Sequence, residues 1–199
     1  MKKNPINLPN ALSFIRVLLV PAFVASLLFM RKIEIWGLIV PALLYIVTAV
    51  TDFLDGMIAR KYKLVTDFGK FIDPLADKFM VIASQIALLV HMLLRGEYTL
   101  SMIFVWIVLI ILFRELAVTS IRLVVADKAG LVVAASMLGK IKTVSQMVGT
   151  VVIIVEPLLP FFGENRILSY VAMAVMAITT LYSGIDYLIK YLPHIDANK

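Results

Sequence analysis

The chain has 199 residues, of which 62% are hydrophobic and 16% charged, and its formal net charge is +6. A soluble domain is nearer half apolar and a quarter charged, so this composition excludes a soluble enzyme, a disordered chain and a nucleic-acid-binding domain, and points to an integral membrane protein. Cysteine is absent, which removes disulfides and thiolate metal sites and leaves carboxylates, His91 and His194 as candidate metal ligands.

In chain order, residues 1–10 hold Asn4-Pro5 and Leu8-Pro9-Asn10, and a helical apolar pattern follows through Leu12, Ile15, Leu18 and Leu19. This predicts a short amphipathic helix on the inner membrane surface, leading into the first span. A cleaved signal peptide is the competing reading; the long, polar, proline-broken lead-in and Arg16 within the apolar stretch argue against it. Charge-free runs at 17–30, 35–51, 79–94, 98–113, 143–155 and 167–185 then predict an all-α protein with six transmembrane helices. Most fall short by a turn or so of the ~20 apolar residues that cross a ~30 Å hydrocarbon core, so charged residues must complete them. Residues 1–199 read as a single membrane domain.

Lys/Arg bias sets the orientation. With both termini cytoplasmic, the outer side holds Arg31, Lys32, Arg95 and Arg166, and the inner side the other 15 of the 19 basic residues. The charges that cut the runs short then all lie at the cytoplasmic ends: Arg16, Asp52 and Asp55, Asp77 and Lys78, Arg114 and Glu115, Lys140 and Lys142, and Asp186. Snorkelling to the interface explains Arg16, Lys78 and Lys190 equally well. Aspartate is too short to snorkel, and ionisable groups at membrane depth usually face a polar cavity.

Five of the 13 acidic residues fall within residues 52–77. Asp52 and Asp55 are spaced i,i+3, and Gly69, Asp73 and Asp77 are spaced i,i+4, so on helices each set lies along one face. Pro74 suits a bend or a first helical turn. The basic segment 61–68 would reverse the chain and set the two aspartate faces opposite each other; Asp67 reads as a solvated loop charge. Converging carboxylates need cations, and hard oxygen ligands favour Mg²⁺, Mn²⁺ or Ca²⁺. Two such ions form the clamp used in phosphoryl displacements. Gly56, Ala59 and Gly69 either allow close helix packing or leave room for a ligand.

The run Asp52-x2-Asp55-Gly56-x2-Ala59-Arg60-x8-Gly69-x3-Asp73-x3-Asp77 resembles, complete, the signature of the CDP-alcohol phosphotransferase family. The resemblance implies a six-helix membrane enzyme, usually a homodimer, that moves a phosphatidyl or similar group from a CDP-linked donor to an alcohol and releases CMP. It implies that Asp52, Asp55 and Asp73 bind two divalent cations, Mg²⁺ or Mn²⁺, and that Asp77 is ligand, general base or both. Gly56, Ala59 and Gly69 would line the nucleotide pocket, and Arg60 would contact the diphosphate. The acceptor hydroxyl must lose a proton; burial among like charges raises one carboxylate toward that task, and Asp77, the last of the set, is the candidate.

The remaining inner-end charges, Arg114, Arg122, Lys140 and Lys142, fit either positive-inside topology or a pocket for an anionic acceptor. Three stretches, 7–16, 114–122 and 139–146, resemble the phosphatidylglycerophosphate synthases within that family. They imply CDP-diacylglycerol as donor, glycerol 3-phosphate as acceptor, and an active site at the cytoplasmic leaflet of the plasma membrane. Open alternatives are a same-family synthase with inositol phosphate, serine or phosphatidylglycerol as acceptor, a divalent-cation transporter and a structural membrane protein. His91, His194, Trp36, Trp106 and the methionines read as structural.

Overall fold

A computed structural model describes residues 8–33, 35–62, 66–129 and 136–194; the side chains of residues 8–10, 55, 59–61, 67–68, 70, 126–129 and 194 lie outside that description. The described secondary structure is helical: α1 (Leu8–Phe29), α2 (Trp36–Lys61), α3 (Asp67–Leu94), α4 (Tyr98–Ala129), α5 (Met137–Val155) and α6 (Ile167–Tyr191), with short 3₁₀ turns after α1, α5 and α6. All six helices are long and apolar enough to cross a membrane. Each is longer than its charge-free run, because the charged residues that bound the runs continue the same helix. The amphipathic pattern of Leu12 to Leu19 belongs to α1 and is continuous with the first span.

Polarity is arranged for a lipid surround. Phe14, Trp36, Phe53, Trp106, Phe113 and Ile189 are exposed, whereas Ser13, Arg16, Thr48, Gln85, Gln146, Thr150 and Thr180 are buried. In lipid, polar side chains must find partners within the bundle. They do so between helices: Gln85 donates to Thr150 at 3.0 Å, Gln146 to Thr180 at 3.0 Å, and the Ser145 and Thr179 hydroxyls lie 2.7 Å apart. His91 is structural as expected, buried with Nδ1 2.9 Å from the Leu27 carbonyl. Apolar packing fills the rest, with Phe23, Tyr45, Met80, Met92, Phe104, Ile153 and Met176 in one core. At Gly149 a Cβ would lie 2.4 Å from Met176 Sδ, so glycine lets α5 and α6 approach closely.

Two prolines, Pro21 and Pro41, lie inside α1 and α2, and a third overturns an expectation. Pro74 stands within α3, at its eighth residue and so beyond the first turn. It removes one i→i−4 bond, at the helix end that carries the aspartates. Asp67 is the first residue of α3, not in a loop. Thr66 caps α3 by accepting from Gly69 N at 3.0 Å, and Ser136 caps α5 by accepting from Gly139 N at 3.1 Å.

The packing order decides the site. α1 packs against both α2 and α3, α5 packs against α6, and α4 packs against α6 and α3. At the end away from the aspartates, the buried Glu156 caps α6, accepting from Leu168 N at 2.6 Å and Ser169 N at 2.8 Å. Arg166 there lies 3.1 Å from Glu97 and 3.9 Å from Glu156. Burial lowers the Arg166 pKa from its ordinary value while both glutamates oppose that shift. Glu97 and Glu156 are thus committed to the fold.

Candidate active site

The aspartates come together through α1. Arg16, 1% exposed, places one guanidinium nitrogen 2.5 Å from Asp52 Oδ1, and the same nitrogen also contacts Asp77 Oδ1. Ser13, one turn earlier on α1, donates to Asp73 Oδ1 at 2.6 Å. The aspartate faces of α2 and α3 therefore meet across α1. Arg16 is an internal ion-pair partner, not a snorkelling residue; an arginine in an apolar lead-in reads either way until its neighbours in space are known. Ser13 was missed, because a lone serine in an apolar helix carries no signal of its own.

The exposure of the three aspartates is graded. Asp52 is 26% exposed at the side chain and Asp77 54%, with Asp73 half-buried between them in sequence. Gly69 is buried at the start of α3 and Gly56 half-buried on α2. Asp55, Ala59 and Arg60 lie on α2, but their side chains are outside the described residues. Among the described residues no group of three acids and histidines converges closely enough to hold a metal by itself. The donor set nevertheless fits a hard divalent cation: carboxylate oxygens of Asp52 and Asp77 already flank one cationic atom, and among the described residues no softer ligand competes.

A basic cluster lies beside this centre. Lys78, next to Asp77, donates to Thr119 on α4 at 2.6 Å, and Thr119 donates to the Glu115 carbonyl at 2.7 Å. Lys78 is thus turned into the bundle and does not snorkel. Arg114 is 9% exposed; it donates to Ser183 at 2.6 Å and to Glu115 at 3.1 Å. Its Cζ stands 5.5 Å from the Tyr187 ring centre, and that of Arg122 stands 5.1 Å from the same ring. Of the four basic residues expected in an acceptor pocket, the structure brings Arg114 and Arg122 together over Tyr187. Lys142 is buried with its ammonium on Glu115, and Lys140 is exposed. Among the described residues the Nε atoms of Arg114 and Arg122 are buried without a hydrogen-bond partner.

Residues 6–182 match the family model of the CDP-alcohol phosphatidyltransferases. The chain belongs to the CDP-alcohol phosphatidyltransferase family. The match includes the whole aspartate signature, Ser13 and Arg16, and the Arg114 to Lys142 cluster. Among similar CDP-alcohol phosphatidyltransferases is the CDP-diacylglycerol–glycerol-3-phosphate 3-phosphatidyltransferase of Bacillus subtilis (strain 168), 38% identical over 92% of this chain and 94% of the relative. The enzyme of the same name from Yersinia pestis (strain Pestoides F) is 34% identical over 92% of this chain and 93% of its own. A probable phosphatidylglycerophosphate synthase of Mycobacterium tuberculosis (strain H37Rv) is 32% identical over 94% of this chain and 82% of the relative.

Proposed function

We propose that this protein transfers the phosphatidyl group of CDP-diacylglycerol to sn-glycerol 3-phosphate, giving phosphatidylglycerol phosphate and CMP. The observation that carries this reading is the juxtaposition of two unlike centres. A carboxylate cluster and a pair of arginines, Arg114 buried and Arg122 half-buried, are joined by the Lys78–Thr119 bond. A donor diphosphate held by cations needs the first, and an acceptor bearing its own phosphate needs the second. The relatives' names specify this donor and acceptor.

The family generally depends on divalent cations. Asp52, Asp55, Asp73 and Asp77 would hold two, Mg²⁺ or Mn²⁺. When bound, such ions neutralise the diphosphate oxygens and make its phosphorus a better electrophile. Gly56, Ala59 and Gly69 would admit the nucleotide, and Arg60 would pair with the diphosphate. Arg114 and Arg122 hold the acceptor phosphate, with unpartnered Nε–H groups to offer. Asp77, the most exposed of the three described carboxylates, takes the proton from the acceptor hydroxyl. The hydroxyl oxygen bonds to the phosphatidyl phosphorus, the bond from that phosphorus to the CMP oxygen breaks, and CMP leaves. Most of the acceleration comes from positioning and charge stabilisation.

We further infer a single domain over residues 1–199, both termini and the site on the cytoplasmic side of the plasma membrane, and a homodimer. The test is purified protein with CDP-diacylglycerol, Mg²⁺ or Mn²⁺ and a panel of alcohols, with CMP release measured and the lipid product identified by mass spectrometry. Phosphatidylglycerol phosphate is expected from glycerol 3-phosphate. No CMP release with any alcohol refutes the enzyme reading, and product with inositol phosphate or serine alone moves the protein to another acceptor.

A further inference from the structure

We propose that Tyr187 is a positioning residue that fixes the separation of the Arg114 and Arg122 guanidiniums, and so sets the selectivity for an acceptor carrying a phosphate monoester. This rests on the acceptor reading given above.

Arg114 and Arg122 are eight residues apart on α4, two turns along nearly one face. Two long cationic side chains so placed repel each other and have many rotamers. A phosphate dianion needs both at a set distance. Tyr187, from α6, is 1% exposed and is flanked by the two guanidiniums at 5.5 and 5.1 Å from its ring centre. A ring face attracts a guanidinium, so one ring gives both cations a shared anchor. Its hydroxyl accepts from Arg122 Nη2 at 2.5 Å and from the Ser136 backbone N–H at 3.2 Å. Ser136 caps α5, the helix that carries Lys140 and Lys142. One side chain therefore ties α4, α6 and the start of α5 together around the basic cluster.

Neighbouring residues restrict Arg114 further. Ser183, one turn before Tyr187, takes Arg114 Nη2 at 2.6 Å, and a Cβ at Gly184 would come within 3.2 Å of Arg114 Cγ. Tyr191 stacks on Tyr187 with ring centres 5.7 Å apart and holds the ring plane. Plain packing would need only the ring. The hydroxyl, spent on Arg122 and Ser136, is what separates a positioning role from a filler.

Tyr187→Phe keeps the ring and removes the hydroxyl contacts with Arg122 and Ser136, whereas Tyr187→Leu removes both functions. Steady-state kinetics with glycerol 3-phosphate, unphosphorylated glycerol and the donor varied in turn reads the difference. Tyr187→Phe should raise the KM for glycerol 3-phosphate about tenfold, as expected for losing a hydrogen bond to a charged group, with kcat and the donor KM within about twofold. Tyr187→Leu, losing the ring contacts as well, should raise it about a hundredfold. Reaction with glycerol should change little in either, so selectivity for the phosphorylated acceptor falls. An unchanged acceptor KM in Tyr187→Phe, or an equal rise for donor and acceptor, overturns the proposal. Tyr187→Phe carries the test even where Tyr187→Leu does not fold. A wild-type protein that does not use glycerol 3-phosphate refutes the acceptor reading itself, and this inference with it.

Discussion

Glu115 stands between two cations, and that asymmetry has a measurable consequence. Its Oε1 contacts the Lys142 ammonium and lies 3.1 Å from an Arg114 nitrogen. The Lys142 side chain is only 4% exposed and that of Glu115 14%, so solvent screens the pair little. Removing one partner of a buried pair costs about 3–5 kcal/mol, because the other charge is left in a low dielectric. Glu115→Gln strands Lys142 and weakens Arg114, and should fall at the upper end, about 4–5 kcal/mol. Lys142→Met leaves Glu115 with Arg114 and should cost less, about 2 kcal/mol. The double variant removes both charges together. Its loss should be about 3 kcal/mol, well short of additive, since neutral replacement of a whole buried pair is often tolerated. Unfolding of the four proteins in mixed micelles would give the coupling energy. Additivity to within about 0.5 kcal/mol would show that the two groups do not depend on each other. Acceptor kinetics add a second criterion. If Lys142 serves Glu115, the double variant keeps a nearly normal KM for glycerol 3-phosphate; a KM that stays as high as in Lys142→Met alone refutes that assignment.

The other predictions concern the site and one packing contact. Asp77→Asn should keep donor binding and lose turnover, measured by nucleotide binding and CMP release; normal turnover would remove Asp77 as the base. Arg114→Glu should raise the KM for glycerol 3-phosphate far more than that for the donor, and equal effects would count against an acceptor role. Gly149→Val should cost about 2–3 kcal/mol through overpacking against Met176, read as a lowered unfolding midpoint; an unchanged midpoint would show that the α5–α6 contact relaxes freely.

The six helices were legible because hydropathy needs only local composition, and the aspartates because their spacing alone places them on helix faces. Helix ends were less so. Charge-free runs stop where charges begin, yet α4 continues through Arg114 and Glu115 to Ala129 because those side chains turn into the bundle. Pro74 misled for a related reason: local preference disfavours proline in a helix, and the surrounding bundle overrides it. Arg16, Ser13 and Tyr187 could not be ranked from sequence. Their roles depend on partners some 60 positions away, such as Asp73 for Ser13 and Arg122 for Tyr187. The split among the basic residues was only partly legible: Arg114 stood out because it begins where an apolar run stops beside Glu115 and because arginine suits bidentate phosphate binding, but the pairing of Lys142 with Glu115 depends on a contact 27 positions away.

The placement of α1 between the two aspartate helices also bears on how the protein is made. A chain is synthesised N-terminus first. Arg16 on α1 is therefore made before Asp52 on α2, and both before Asp77 on α3. Each carboxylate follows a guanidinium able to pair with it, so the counter-charge for the acidic centre is laid down before the acids that need it.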